Sequence, residues 1–138
     1  MLLLSKSTGY KIYWAGRYLE RIENVSRMGL FLSLKGEEDS LKAILATNDV
    51  KDYLKTEFLL VREDIRSFVD DNVIASLAYM ERAIYSIDDG EKYFRDLLQA
   101  TLAVENAIEN FMAYPSNTIF PKKQEEVREE DLGKQSRD

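Results

Sequence analysis

The sequence predicts an all-α protein, an antiparallel bundle of four main helices plus one short helix, followed by a flexible C-terminal tail. Three observations carry that prediction. Apolar residues recur at alternating steps of three and four along segments long enough to be helices. No stretch shows a competing period-two pattern. Two Pro and six Gly among 138 residues leave no room for a long inter-domain linker. A chain with 45% hydrophobic and 11% aromatic residues can build one core, and residues 1–115 are read as a single helical domain.

Helix 1 starts at a cap on Ser5 or Ser7 and runs to about Leu34, where Lys35 and then Gly36 supply a C-terminal stop. That gives a rod of about 40 Å. "DSLKAILATND" reads as a short helix capped by Asp39 or Ser40 and broken around Asn48. A third helix begins near Asp49 and carries the seam Leu54, Phe58, Val61, Ile65 and Phe68. "VDDN" interrupts it, with Asp71 or Asn72 as the next cap. The fourth helix shows Leu77, Met80, Ile84 and Ile87 and ends at "DDG", where Gly90 can turn left-handed. The fifth repeats the seam with Phe94, Leu97, Thr101, Val104, Ile108 and Phe111, and Pro115 forbids its continuation. Residues 116–138, almost free of large apolar groups, read as a charged flexible tail.

Composition narrows the chemistry. The net charge of −6, with basic residues interspersed among acids, argues against a nucleic-acid surface. The absence of Cys excludes disulfides, thiolate nucleophiles and Cys-based zinc sites. The absence of His removes the commonest general base and the Glu-x-x-His pairs of di-iron bundles. No catalytic residue, cofactor or resident metal is assigned. "MLLLSKS" is too short for a secretory h-region and no apolar run reaches a membrane span, so a cytoplasmic protein that does not enter the membrane is expected.

The informative stretch is "YWAGRYLERIENVSRM", residues 13–28. At 100° per residue, Tyr13, Arg17, Glu20, Asn24, Arg27 and Phe31 share one polar stripe, while Ile12, Leu19 and Ile22 lie on one flank and Tyr10, Trp14, Tyr18 and Met28 on the other. Arg21 falls inside the aromatic flank and Glu23 inside the aliphatic one. A bare buried charge costs several kcal/mol, roughly, so each needs a partner or a route to solvent. Arg62 and Arg66 on the third helix are candidates for Glu20 or Glu23, and Glu105 or Glu109 on the fifth for Arg21. Three readings follow. The charges form inter-helix salt bridges; or Glu20 and Glu23, with Glu63, Asp64, Glu105 and Glu109, gather around a divalent cation in a small metal-dependent enzyme; or the arginines bind an anionic ligand or a partner's carboxylates. The adjacent Arg17, Arg21 and Arg27 weigh against the metal.

"LSKSTGYKIYWAGRYLERIENVSRM" closely resembles the opening signature of the alpha-E domain family, matching it at Tyr13, Trp14, Gly16, Arg17, Tyr18, Leu19, Glu20, Arg21, Glu23 and Arg27. Arg62, Glu63 and Arg66 resemble a second, shorter family stretch. The resemblance implies a helical protein, a short member of its family, working beside ATP-grasp-like or transglutaminase-like proteins in a peptide-forming or peptide-modifying system. The expected role is a non-catalytic interaction or accessory module, with Tyr13, Trp14, Arg17, Glu20, Arg21, Glu23, Arg27, Arg62, Glu63 and Arg66 as its binding residues. Helix 1 is apolar around most of its circumference, more than a four-helix bundle needs to bury. A two-fold homodimer with Tyr10, Trp14, Tyr18 and Met28 near the interface is therefore expected.

Overall fold

The computed structural model describes residues 6–66 and 70–113. Five helices follow one another: α1 (Lys6–Leu34), α2 (Ser40–Leu45), α3 (Val50–Ile65), α4 (Asp71–Ile84) and α5 (Gly90–Ala113). The expected tail, Pro115 and Phe68 lie outside the described residues. α1 packs between α3 and α5, and α4 closes the ring against α5 and, more lightly, α3. Facing residues give the directions. Arg21 meets Glu57, Arg62 meets Glu81, Tyr93 meets Ile84 and Gly29 meets Phe94. Successive long helices therefore run up, down, up and down.

The ends follow from local chemistry. Gly36, at φ 69°, ends α1 in the left-handed conformation, with Glu37 N–H donating to the Leu32 carbonyl at 2.8 Å and Gly36 N–H to that of Ser33 at 3.1 Å. This is the Schellman arrangement, which satisfies carbonyls that have no partner within the helix. α2 ends earlier than the break expected at Asn48, on Ala46 at φ 53°. Asp49 caps α3 by accepting the Asp52 N–H at 3.1 Å. α4 is capped by Asp70 instead of Asp71 or Asn72: its backbone is extended and its carboxylate accepts the N–H of the third helical residue, Val73, at 2.9 Å, whereas Asp71 and Asn72 already lie within the helix. α4 also stops at Ile84, short of the expected "DDG". Ile87 is 94% exposed and so does not belong to the seam.

The core joins Ala15, Leu19, Ile22 and Val25 of α1 to Leu54, Phe58, Val61 and Ile65 of α3, Val73, Met80 and Ile84 of α4, and Phe94, Leu97, Val104 and Phe111 of α5. Ser26 and Thr101 are buried in it and return their hydroxyls to the carbonyls of Ile22 and Leu97, as such residues do inside helices. At the end of the bundle near α2, Lys51 donates to the carbonyls of Ser86 and Asp88 and lies over the Tyr93 ring. Burial holds the Tyr93 hydroxyl protonated far above the ordinary phenol range, and it donates to the Ile84 carbonyl at 2.8 Å. This junction fixes the α4–α5 connection.

Candidate functional site: the charged face of α1

The polar stripe predicted for α1 is present, with Tyr13, Arg17, Glu20, Asn24, Arg27 and Phe31 all exposed. Along its edge the rings form a continuous row. Trp14 contacts Tyr10, Tyr13 and Tyr18 at centroid distances of 6.2, 5.4 and 6.0 Å. Steps of four residues stack Tyr10, Trp14 and Tyr18 on one side of the helix, and Tyr13, the residue before Trp14, meets its ring edge-on. Tyr10 is 66% and Tyr13 54% exposed, so much of this aromatic surface faces outward.

The two charges that break the pattern are accommodated differently. Arg21 extends over the Tyr18 ring, 5.6 Å from its centroid, and reaches Glu57 of α3 at 3.6 Å. Glu57 is buried, and its Oε1 makes no hydrogen bond. The guanidinium thus neutralises a buried carboxylate through space while about half of its own side chain stays in solvent. Higher on the same seam Asp64 is half-buried, and burial raises its carboxyl against the opposing pull of Lys11.

Glu23, on the other flank, accepts two hydrogen bonds from Arg27 one turn on, at 3.0 and 2.9 Å. The neighbouring Glu105 carboxyl of α5, followed by Arg27, holds Glu23 below the usual carboxylate range in spite of its desolvation. Burial, then Glu23 itself, push Glu105 up to about 7. Glu105 lines a groove of about 320 Å³ with Ile12, Gly16, Leu19, Ile108 and Glu109.

These contacts correct the expected pairings. Arg21 meets Glu57 instead of Glu105 or Glu109. Glu20 and Glu23 turn to Arg17 and Arg27 on their own helix, Arg62 to Glu81 of α4 and Arg66 to Glu63 one turn back. The physical reason is reach. An i,i+3 or i,i+4 partner is already beside the side chain, and α3 faces the aromatic flank of α1, the opposite side from Glu23. Neither Arg21 nor Glu23 is fully buried. Glu63, 64% exposed at its side chain, stays with Arg66. Among the described residues no group of three or more acidic side chains is arranged to hold a metal ion. No helix among them is long and apolar enough to cross a membrane. Of the sequence-predicted residues, Tyr13, Arg17 and Glu20 lie on the outer face of α1, the half-buried Trp14 and the half-exposed Arg21 on its flank toward α3, and Glu23 with its partner Arg27 toward α5; Arg62 pairs with Glu81 of α4, and Glu63 with Arg66 along α3.

Sequence reading missed Glu57. Its one signal is position: it follows the core residue Leu54 by three and precedes Val61 by four, which places it on the buried side of α3.

Comparison with curated proteins and with solved structures finds no match. A family model does match, over residues 3–100, and it describes a predicted α-helical domain with a conserved Glu-Arg motif. Glu20-Arg21 and Glu81-Arg82 are the Glu-Arg dipeptides in that span, and the first lies within the signature that begins at Tyr13. With most of its length matched, all of its described elements helical and an arginine of this dipeptide joining α1 to α3, the chain belongs to the Alpha-E family.

Proposed function

We propose that this protein is a non-catalytic docking module and that the outer face of α1 is its docking surface. The observation that supports this reading is the row in which Tyr10, Tyr13 and Tyr18 each contact Trp14, with Tyr10 and Tyr13 exposed and Trp14 and Tyr18 half-buried. Aromatic residues and arginines are enriched where proteins meet, because they offer large rigid surfaces with polar tips. Arg17 and Arg21 lie beside this row with about half of each side chain in solvent, suited to carboxylates on a partner.

The first partner we propose is a second copy of the chain, joined about a two-fold axis through this face. The second is the ATP-grasp-like or transglutaminase-like protein that the family resemblance implies, which would make the module an accessory of a peptide-forming or peptide-modifying system. Light scattering after size exclusion at micromolar concentration tests the first. A dimer is expected, with Trp14→Ala and Tyr10→Ser shifting it to monomer. A monomer at every concentration would remove the homodimer. Co-purification with an ATP-grasp-like protein encoded beside the chain tests the second, with Trp14→Ala and Arg17→Ala weakening capture; capture that these changes leave intact would remove this face as the docking surface.

A further inference from the structure

The groove between α1 and α5 lies on the flank of α1 away from the aromatic row, and it has its own chemistry. Ile12 and Leu19 of α1 and Ile108 of α5 form apolar walls, with Gly16 between them. Glu105 and Glu109, one turn apart on α5, add two carboxylates, and no cation is among the described residues that line the groove. Arg27, the cation that acts on Glu105, is already engaged by Glu23 at 2.9 Å.

Gly16 has no reason to be glycine within its own chain. Gly36 needs its φ of 69°, and at Gly29 a Cβ would stand 2.6 Å from the Phe94 ring. Gly16 lies inside α1, outside the left-handed region, and a Cβ there would meet nothing within 4 Å. Glycine is a poor helix former, so the position weakens α1. What it leaves is an open floor to a groove of about 320 Å³.

We propose that this groove is a docking site for a lysine side chain presented by a helix of a partner protein: the aliphatic stem lies along Ile12, Leu19 and Ile108 over Gly16, and the ammonium is received by Glu105 and Glu109. Two acids beside apolar walls call for a cation with an apolar stem, and lysine joins a long flexible stem to a compact ammonium. A bare metal ion fits less well, since among the described residues no group of three acidic side chains is arranged to hold one. The furrow between two helices is the shape that a row of side chains on a third helix enters. Burial disfavours the charged form of Glu105, and an incoming ammonium would restore it.

The probe is a capped, alanine-rich helical peptide with lysines one turn apart beside a leucine stripe, and its twin with every lysine acetylated. Titrations of the full chain are run at physiological ionic strength, where long-range attraction to a net charge of −6 is screened. The lysine peptide is expected to bind saturably and to shift the methyl resonances of Ile12 and Ile108, and the acetylated twin to bind about tenfold more weakly. Gly16→Leu fills the floor without changing charge. It should keep or raise the thermal midpoint and weaken binding by about tenfold. Glu105→Gln combined with Glu109→Gln should weaken it as much, while Glu37→Gln, on the exposed end of α1, should leave it unchanged. Binding that survives Gly16→Leu overturns the site. So does an acetylated twin that binds equally well, a Glu37→Gln variant that loses as much as the groove variants, or a lysine peptide that does not saturate the wild type.

Discussion

α1 meets its two neighbours through opposite electrostatic solutions. Toward α3 it sends a cation, Arg21, to a buried carboxylate, Glu57. Toward α5 it sends Glu23, held by Arg27 of its own helix, to the side of a second acid, Glu105, whose carboxyl burial pushes up. In the first pairing the cation is permanent, because a guanidinium does not deprotonate. In the second, the Glu105 carboxyl, pushed up to about 7 by burial, changes charge near neutral pH. One helix thus meets a permanent ion pair on one flank and a titrating acid on the other. The packing differs in the same sense. On the α5 side the backbone comes so close that a Cβ at Gly29 would stand 2.6 Å from the Phe94 ring, so that seam is tight at Gly29 and Phe94 and electrostatically delicate further along. On the α3 side long side chains, with Arg21 half in solvent, fill the seam.

The sharpest way to break this comparison is to attack the tight contact. Gly29→Leu should destabilise by about 3 kcal/mol, near the top of the range for overpacking a filled core, measured as a lowered denaturant midpoint. A neutral outcome would mean that α1 and α5 can separate at little cost.

Arg21→Ala leaves Glu57 buried without its cation. Loss of a partner from a wholly buried pair costs ~3–5 kcal/mol, but Arg21 is half-exposed and water can take its place, so about 1–2 kcal/mol is expected. A double-mutant cycle with Glu57→Gln isolates the pairwise part. Coupling near zero would show that Arg21 is stacked on Tyr18 and not anchored by Glu57.

A smaller effect separates the two seams by pH. Between pH 5.5 and 8 the stability of Glu23→Gln should rise relative to wild type by less than about 1 kcal/mol, as befits a partly solvated pair. Arg21→Ala should show no such trend. Thermal melts at matched ionic strength would reveal it, and identical slopes for the two variants would erase the contrast.

The smallest change is predicted on the outer stripe. Arg17 and Glu20 lie 3.9 Å apart with both side chains at least half-exposed, so Glu20→Ala should alter stability by less than about 0.5 kcal/mol. A larger loss would mean that the stripe is covered by another surface in solution.

Much of this was legible in the residues. The seams of α3 and α5 found the core because period and burial are the same fact for a helix that packs on one side, and the α1 stripe Tyr13, Arg17, Glu20, Asn24, Arg27 and Phe31 reached solvent as its spacing required. Arg21 and Glu23 were also recognisable as charges in need of partners. Their partners were not. Helical spacing tells which side of α1 a residue occupies, but not which helix covers that side or at what height. Assigning Arg62 and Arg66 to Glu23 failed because α3 covers the aromatic flank, and Glu57 went unseen because an acid three residues after Leu54 is ordinary until another helix buries it.

The sequence by itself determined the all-helical class, most of the helix boundaries, the outward face of α1 and the family, since these rest on local chemistry: periodicity, caps, glycine conformation and the order of residues in one contiguous motif. Only the tertiary structure decided that Arg21 answers Glu57 and that Glu23 faces Glu105, because both pairings join residues more than thirty positions apart in the chain. Their proximity and burial exist only once α1 is laid between α3 and α5, and that placement is set by the packing of the whole core and not by the charges themselves.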